Sequence, residues 1–210
     1  MKKELNSIYG HSNSEQTAKL FNWDKVLQIT EELTENKDIA YRNYILIGLF
    51  YGLRCADIRN LKYKDLLELD SSDNFIVEVK TEKKFKLFPH AYIVDYFKKV
   101  YNTYNVIQPN SYICAKIGKK TPLSLTAIND KIKKLAIQYE LLPNGSSKGA
   151  STHSIRKTFA RKFYINGGAN HESIEALSMY LNHSSTTMTR IYIGLVDEKI
   201  YNILNNFHNE

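Results

Sequence analysis

Ser151-Thr152-His153-Ser154-Ile155-Arg156-Lys157-Thr158-Phe159-Ala160 carries two patterns at once. Ile155, Phe159 and, further on, Phe163 recur every four residues, the stripe of a helix packed on a core. Ser151 or Thr152 stands where a helix cap belongs. His153, Arg156 and Lys157 are three and four apart, so they share another face. A histidine, a guanidinium and an ammonium beside the free N–H groups of a helix start make a cradle for an anion. Taken alone, the cluster equally suits a cationic face in water. Leu142-Pro143-Asn144-Gly145-Ser146-Ser147 before it reads as a loop, and Asn166-Gly167-Gly168 ends the helix.

Outward from this helix the chain reads as mainly α with a small antiparallel β-sheet, an α+β fold. Toward the C-terminus, Asn170 opens a helix with Ile174, Leu177 and Leu181 inward. Ser184 or Ser185 caps a short helix carrying Met188, Ile191, Tyr192 and Leu195, and a last helix spans Asp197 to Phe207. Toward the N-terminus, Ser124 or Thr126 opens a helix to about Tyr139, Tyr112 to Ala115 suits a short strand, and Ala91 to Tyr104 is helical. Phe75 to Lys80 and Lys84 to Phe88 alternate with period two across the polar link Thr81-Glu82-Lys83, which predicts a hairpin with Phe75, Val77 and Val79 on one face. Asp38 is the expected cap of an apolar helix from Ile39 to about Tyr51. Gly52 interrupts it before a helix from Ala56 to Lys64. Asn22 or Asp24 caps a first helix with Val26, Leu27, Ile29 and Leu33 as its stripe. Residues 1–20 are polar and read as a tail.

The 210 residues carry a net charge of +7, and its distribution says more than its size. Residues 1–40 hold five basic and seven acidic side chains, and residues 172–210 hold two and five. The surplus lies between, in Lys80, Lys83, Lys84 and Lys86, in Lys116 to Lys134, and in Lys148, Arg156, Lys157, Arg161 and Lys162. Three basic segments in one domain suit a surface wrapped on a phosphate backbone, and ordinary lysine-rich surface equally. No apolar run is long enough for a membrane crossing. Met1-Lys2-Lys3-Glu4-Leu5-Asn6 leads into no signal core, and two isolated cysteines make no disulfide framework, so a cytoplasmic location is expected. His153, His171 and His183 lack a ligand spacing such as H-E-x-x-H, so neither metal nor cofactor is expected.

Other residues suit chemistry only in company. Arg54, directly after the Gly52 break, can reach back into a cleft, with Asp57 three residues on to hold its guanidinium. Lys80 lies by the hairpin turn, His183 at a helix junction, and Tyr192 nine residues later. Tyr192 alone reads as one core aromatic among fifteen tyrosines.

Their order adds what none supplies alone. Gly52-Leu53-Arg54-Cys55-Ala56-Asp57-Ile58, a hairpin lysine, His153-x-x-Arg156, Leu181-Asn182-His183 and Arg190-Ile191-Tyr192 together resemble the catalytic domain of the tyrosine recombinase (phage integrase) family, from about Trp23 to Tyr201. The segment from Ser151 to Ala160 is similar to that family's His-x-Leu-Arg-His-Thr-Phe-Ala stretch. Asn182 stands where a glycine is usual, and Lys157 where a second histidine is common.

The resemblance implies site-specific DNA recombination through a covalent 3′-phosphotyrosine. Arg54 and Arg156 would clamp the scissile phosphate, and His153 and His183 would hydrogen-bond it and move protons. Lys80 would protonate the departing 5′ oxygen, with Lys83 and Lys84 as competitors, and Tyr192 would be the nucleophile. Lys83, Lys84, Lys148, Lys157 and Arg161 are the candidate DNA-backbone contacts. The implied partner is double-stranded DNA, bound by a homotetramer on two sites, with the 197–207 helix docking on a neighbouring protomer. Members usually precede this domain, here residues 21–210, with a helical clamp domain. About twenty residues stand there in this sequence, as in the short fimbrial-type DNA invertases. A compact recombinase, a protein completed by an accessory DNA-binding partner, and a remnant are the resulting expectations. A non-cleaving DNA-binding regulator and a strand-relaxing topoisomerase-type enzyme are the competing functions.

Overall fold

Side-chain caps fix several helix starts. In the computed structural model, which describes residues 18–35, 38–69 and 74–205, Asn22 Oδ1 accepts from Lys25 N–H, 2.9 Å, and starts α1 (Trp23–Glu35). Ser124 caps α6 (Leu125–Gln138) through Ala127 N–H, Asn170 caps α8 (His171–Tyr180) through Ser173 N–H, and Ser185 caps α9 (Thr186–Tyr192) through Met188 N–H. Each bond satisfies an amide that the helix itself leaves without a partner. Between them stand α2 (Ile39–Tyr51), α3 (Cys55–Asn60), α4 (Tyr63–Leu67), α5 (Ala91–Thr103), α7 (Thr152–Asn166) and α10 (Leu195–Asn205).

Apolar nearly all round, α2 is buried over almost its whole length, with Tyr44, Leu46, Ile47 and Leu49 at its centre. It packs on α1 and α7. A smaller second core joins α7, α8 and α9 through Phe159, Ala160, Ile174, Leu177, Leu181 and Ile193.

Among the described residues a single hairpin pairs β1 (Phe75–Val77) with β2 (Lys84–Lys86), antiparallel, in the register Phe75 to Lys86 and Val77 to Lys84. Phe75, Val77 and Val79 do share a face, but that face is exposed. Glu78, Phe85 and Leu87 are buried instead. The hairpin is pinned by Phe85 against Tyr180, ring centroids 4.8 Å apart, and Tyr180 in turn stacks on Phe163.

Several expectations give way. Asp38 makes no cap bond, because its carboxylate pairs with Lys131. The helix expected from Ala56 to Lys64 is broken at Leu61, whose carbonyl accepts from Ile113 N–H while Lys62 bridges Tyr112. Tyr112 to Ala115 forms only isolated bridges, to Lys62 and Pro122, and no strand. On α9 the buried residues are Thr189 and, just past its end, Ile193, while Met188 is exposed. The last helix is Leu195–Asn205; residues 206 and 207 of the expected helix, and residues 1–17 of the expected tail, lie outside the described residues.

Gly52 ends α2 in the left-handed region, φ 58°, which swings Leu53 and Arg54 off the helix axis. A Cβ there would lie 2.1 Å from Phe159 Cδ1. Gly52→Ala therefore meets both a backbone penalty of about 1–2 kcal/mol and an overlap with a core ring. We expect it to lower unfolding stability by about 2–5 kcal/mol in urea titration. Asn182, at φ 55°, needs no such protection, since Asn tolerates this region.

Candidate active site

The seam between the two cores gathers most of the residues singled out by sequence. Arg156, on the first turns of α7, is 4% exposed rather than on a solvent face. Its Nη1 donates to the Gly52 carbonyl and its Nη2 to the Leu181 carbonyl, 3.2 Å, joining the end of α2 to the end of α8. Burial lowers its pKa, with the Arg54 charge adding to the effect. His153 stands one turn before it at the protein surface. Burial, and then the charges of Arg156, Arg54, Lys157 and Lys80, push the His153 pKa down.

Arg54 does not pair with Asp57 as expected. Its Nη1 bonds Glu78, a fully buried carboxylate that sequence reasoning passed over. Asp57 serves the hairpin instead, its Oδ1 accepting from Val79 N–H at 2.8 Å. Its Oδ2 is buried without a partner, and burial, aided by the Glu78 charge, raises its pKa. Period two placed Glu78 opposite Phe75, Val77 and Val79. That spacing was the available signal, but only packing shows which face is inward.

Four groups act on Tyr192. Its ring meets His183 edge-to-face at 5.2 Å, and Lys157 Nζ lies 5.3 Å from the ring centroid. Its hydroxyl is buried beside the Arg156 guanidinium. Burial raises the phenol pKa, while Arg156 and then Arg54 oppose the rise. Tyr51 also buries its hydroxyl, so it is the company of Arg156, Arg54, His183 and Lys157 that sets Tyr192 apart.

His183 Nδ1 lies 2.9 Å from Thr189 Oγ1, and that hydroxyl points to the Ser185 carbonyl, 3.4 Å. With the hydroxyl donating to Ser185, Nδ1–H donates to Thr189 and Nε2 keeps its lone pair. Burial, Arg156 and Arg54 lower the His183 pKa to about 4. The neutral ring is thus favoured in the folded state. Its contribution to stability is full above the unfolded value of 6.5 and is lost as pH falls toward about 4. An NMR titration of the free protein is expected to give a His183 midpoint near 4; one near 6.5 contradicts the arrangement.

Lys80, Lys83 and Lys84 are all exposed. Lys84 lies over the Phe75 ring, on the outer face of the hairpin. Lys80 is the hairpin lysine whose charge acts on His153. Lys148 is exposed before α7, and Lys157 and Arg161 stand one turn apart along it. Among the described residues no group of three or more His, Cys, Asp or Glu side chains is placed to hold a metal ion. Nor is any helix among them long and apolar enough to cross a membrane.

The family model of the phage integrase family matches residues 19–199. The chain belongs to that family. Its relatives include a probable integrase/recombinase, YoeC of Bacillus subtilis, 27% identical over 176 residues, which cover 83% of this chain and 88% of YoeC. The tyrosine recombinase XerC of Agrobacterium fabrum is 24% identical over 196 residues, 88% of this chain and 56% of XerC. Among solved structures, the XerH site-specific recombinase in its post-cleavage complex with a palindromic difH substrate matches with a TM-score of 0.61 at 19% identity, over 93% of this chain and 54% of XerH. The chain thus spans just over half the length of XerC and XerH. Its fold is that of tyrosine recombinase catalytic domains. Family and fold support site-specific recombination in general.

Proposed function

We propose that the chain cleaves and rejoins double-stranded DNA at specific sites through a 3′-phosphotyrosine on Tyr192. The observation that carries this reading is the buried Tyr192 hydroxyl, set beside the Arg156 guanidinium with His183 and Lys157 against its ring. A phenol with a pKa of about 10 is only about 0.1% ionised at pH 7, so attack needs cations or a base beside it. Arg54 and Arg156 supply the cations and take the non-bridging oxygens of the scissile phosphate, where charge builds as five oxygens crowd the phosphorus. A phosphate anion between them offsets the charges that hold His183 neutral, so Nε2 gains basicity as substrate arrives. Tyr192 Oη bonds phosphorus, its proton passes to His183 Nε2, the bond to O5′ breaks, and Lys80 protonates that oxygen. His153 donates to the phosphate. No water enters and the phosphodiester energy is kept, so a 5′ hydroxyl from another strand reverses the sequence.

The basic side chains Lys83, Lys84, Lys148, Lys157 and Arg161 would follow the DNA backbone, setting affinity and salt dependence more than sequence choice. XerH was solved on its DNA substrate, which supports the same ligand class here. Ile200 and Ile203 on α10 are exposed, which supports docking of this helix on a neighbouring protomer in a tetramer. A cytoplasmic site of action, and an accessory DNA-binding partner, belong to the same proposal.

A nicked substrate that releases the short fragment bearing the new 5′ hydroxyl on cleavage tests the reading. An SDS-stable protein–DNA adduct is the expected result. Retarded DNA without any adduct favours a non-cleaving regulator, and supercoil relaxation without strand exchange favours a topoisomerase. The acid is tested separately. Lys80→Ala should slow cleavage about 10²–10⁴-fold. Replacing O5′ by sulfur, which leaves without needing a proton, should bring that variant back to within about tenfold of wild type. Rescue of Lys83→Ala or Lys84→Ala, and not of Lys80→Ala, would move the assignment.

A further inference from the structure

Glu78 receives more than Arg54. Its Oε1 takes Arg54 Nη1, while its Oε2 takes the Thr81 hydroxyl and, at 3.5 Å, the Asn182 side-chain amide. Its backbone N–H donates to the Lys83 carbonyl and its carbonyl accepts from Glu82 N–H, both at 2.9 Å, closing the hairpin turn. One fully buried residue thus joins three chain segments. They are the turn after α2 that carries Arg54, the hairpin turn that carries Lys80, and the α8–α9 junction, where Asn182 precedes His183.

We propose that Glu78 is a positioning residue, fixing the Arg54 guanidinium against the hairpin turn and the α8–α9 junction before substrate arrives. The inference rests on the phosphotyrosine reading of the site. Burying a carboxylate is costly unless it is paired and hydrogen-bonded, and a buried pair adds little net stability over an apolar replacement. What such a pair does supply is geometry. A guanidinium has five N–H donors, so holding Nη1 fixes its plane and leaves donors for an anion. Asn182 supports the assignment independently. A glycine would satisfy φ 55° equally well but carries no amide to reach Glu78.

Glu78→Gln keeps the volume and removes the charge. It is expected to fold, to bind DNA within about threefold of wild type, and to form the covalent adduct at least tenfold more slowly. A double-mutant cycle separates positioning from a general structural role. In an Arg54→Ala background, Glu78→Gln should slow single-turnover cleavage by less than twofold, because its main client is already gone. It should also raise the melting temperature of Arg54→Ala, which strands a buried carboxylate. If Glu78→Gln cleaves as fast as wild type, or if its rate loss simply multiplies that of Arg54→Ala, the positioning role is overturned. Should Glu78→Gln fail to fold, the Arg54→Ala/Glu78→Gln pair decides by the same two readouts. Wild-type protein that never forms an adduct overturns the functional reading itself, and the positioning role with it.

Discussion

Tyr192→Phe is expected to abolish the covalent product, a loss on the order of 10⁴-fold or more in adduct formation, because the nucleophilic oxygen is gone. The same change should leave DNA affinity intact, since the side chain is mostly enclosed. Its effect on stability is the more telling part. Removing this hydroxyl relieves its burial and forfeits its interaction with the Arg156 guanidinium, two effects of opposite sign. Tyr192→Phe should therefore shift stability by no more than about 1 kcal/mol in denaturant titration. A clear destabilisation would mean that the hydroxyl is held by the fold, and its part in the chemistry would need rethinking.

Arg156 carries the second large effect, and there fold and reaction both suffer. Arg156→Ala strands the Gly52 and Leu181 carbonyls in the seam between the two cores and leaves a cavity. A stability loss of about 2–4 kcal/mol is expected. Cleavage should fall about 10²–10³-fold, the usual cost of losing a preorganised donor to a charged transition state. Arg156→Lys separates the two. An ammonium keeps the charge but cannot span both carbonyls and a phosphate, so it should recover more stability than rate. Loss of the Arg156 charge should also let the His183 midpoint rise from about 4, which NMR on Arg156→Ala would show.

Much of this site was legible because the chemistry fixes residue types at fixed intervals along the chain. His153 and Arg156 share a helix start, and Leu181, His183 and Tyr192 follow across a single junction. The Ile155 and Phe159 stripe gave α7 its orientation. Arg156 shows the limit of that reading: a helix face that looks solvent-directed in sequence is roofed by Gly52 and Leu181 from elsewhere. The hairpin shows it more strongly. Alternation puts Phe75, Val77 and Val79 together, but hydrophobicity argues for burying them, and the structure buries Glu78 instead. Arg54 and Asn182 from distant segments, with Thr81 of the same turn, make that possible, and no local pattern encodes the distant two. The same non-locality hid the pairing of Asp38 with Lys131, and the exchange by which Glu78 took the place expected of Asp57. Lys84 lies on the outer face of the hairpin over Phe75, while Lys80 and Lys83 are both exposed beside the turn.

The central claim is that one tyrosine among fifteen forms a bond to DNA phosphate. Trapping the adduct on a nicked substrate, digesting protein and DNA, and locating the modified residue by mass spectrometry tests it most directly. The expected result is a nucleotide joined through its 3′ phosphate to Tyr192. A nucleotide on any other residue, or DNA bound tightly with no modified peptide, would contradict the account.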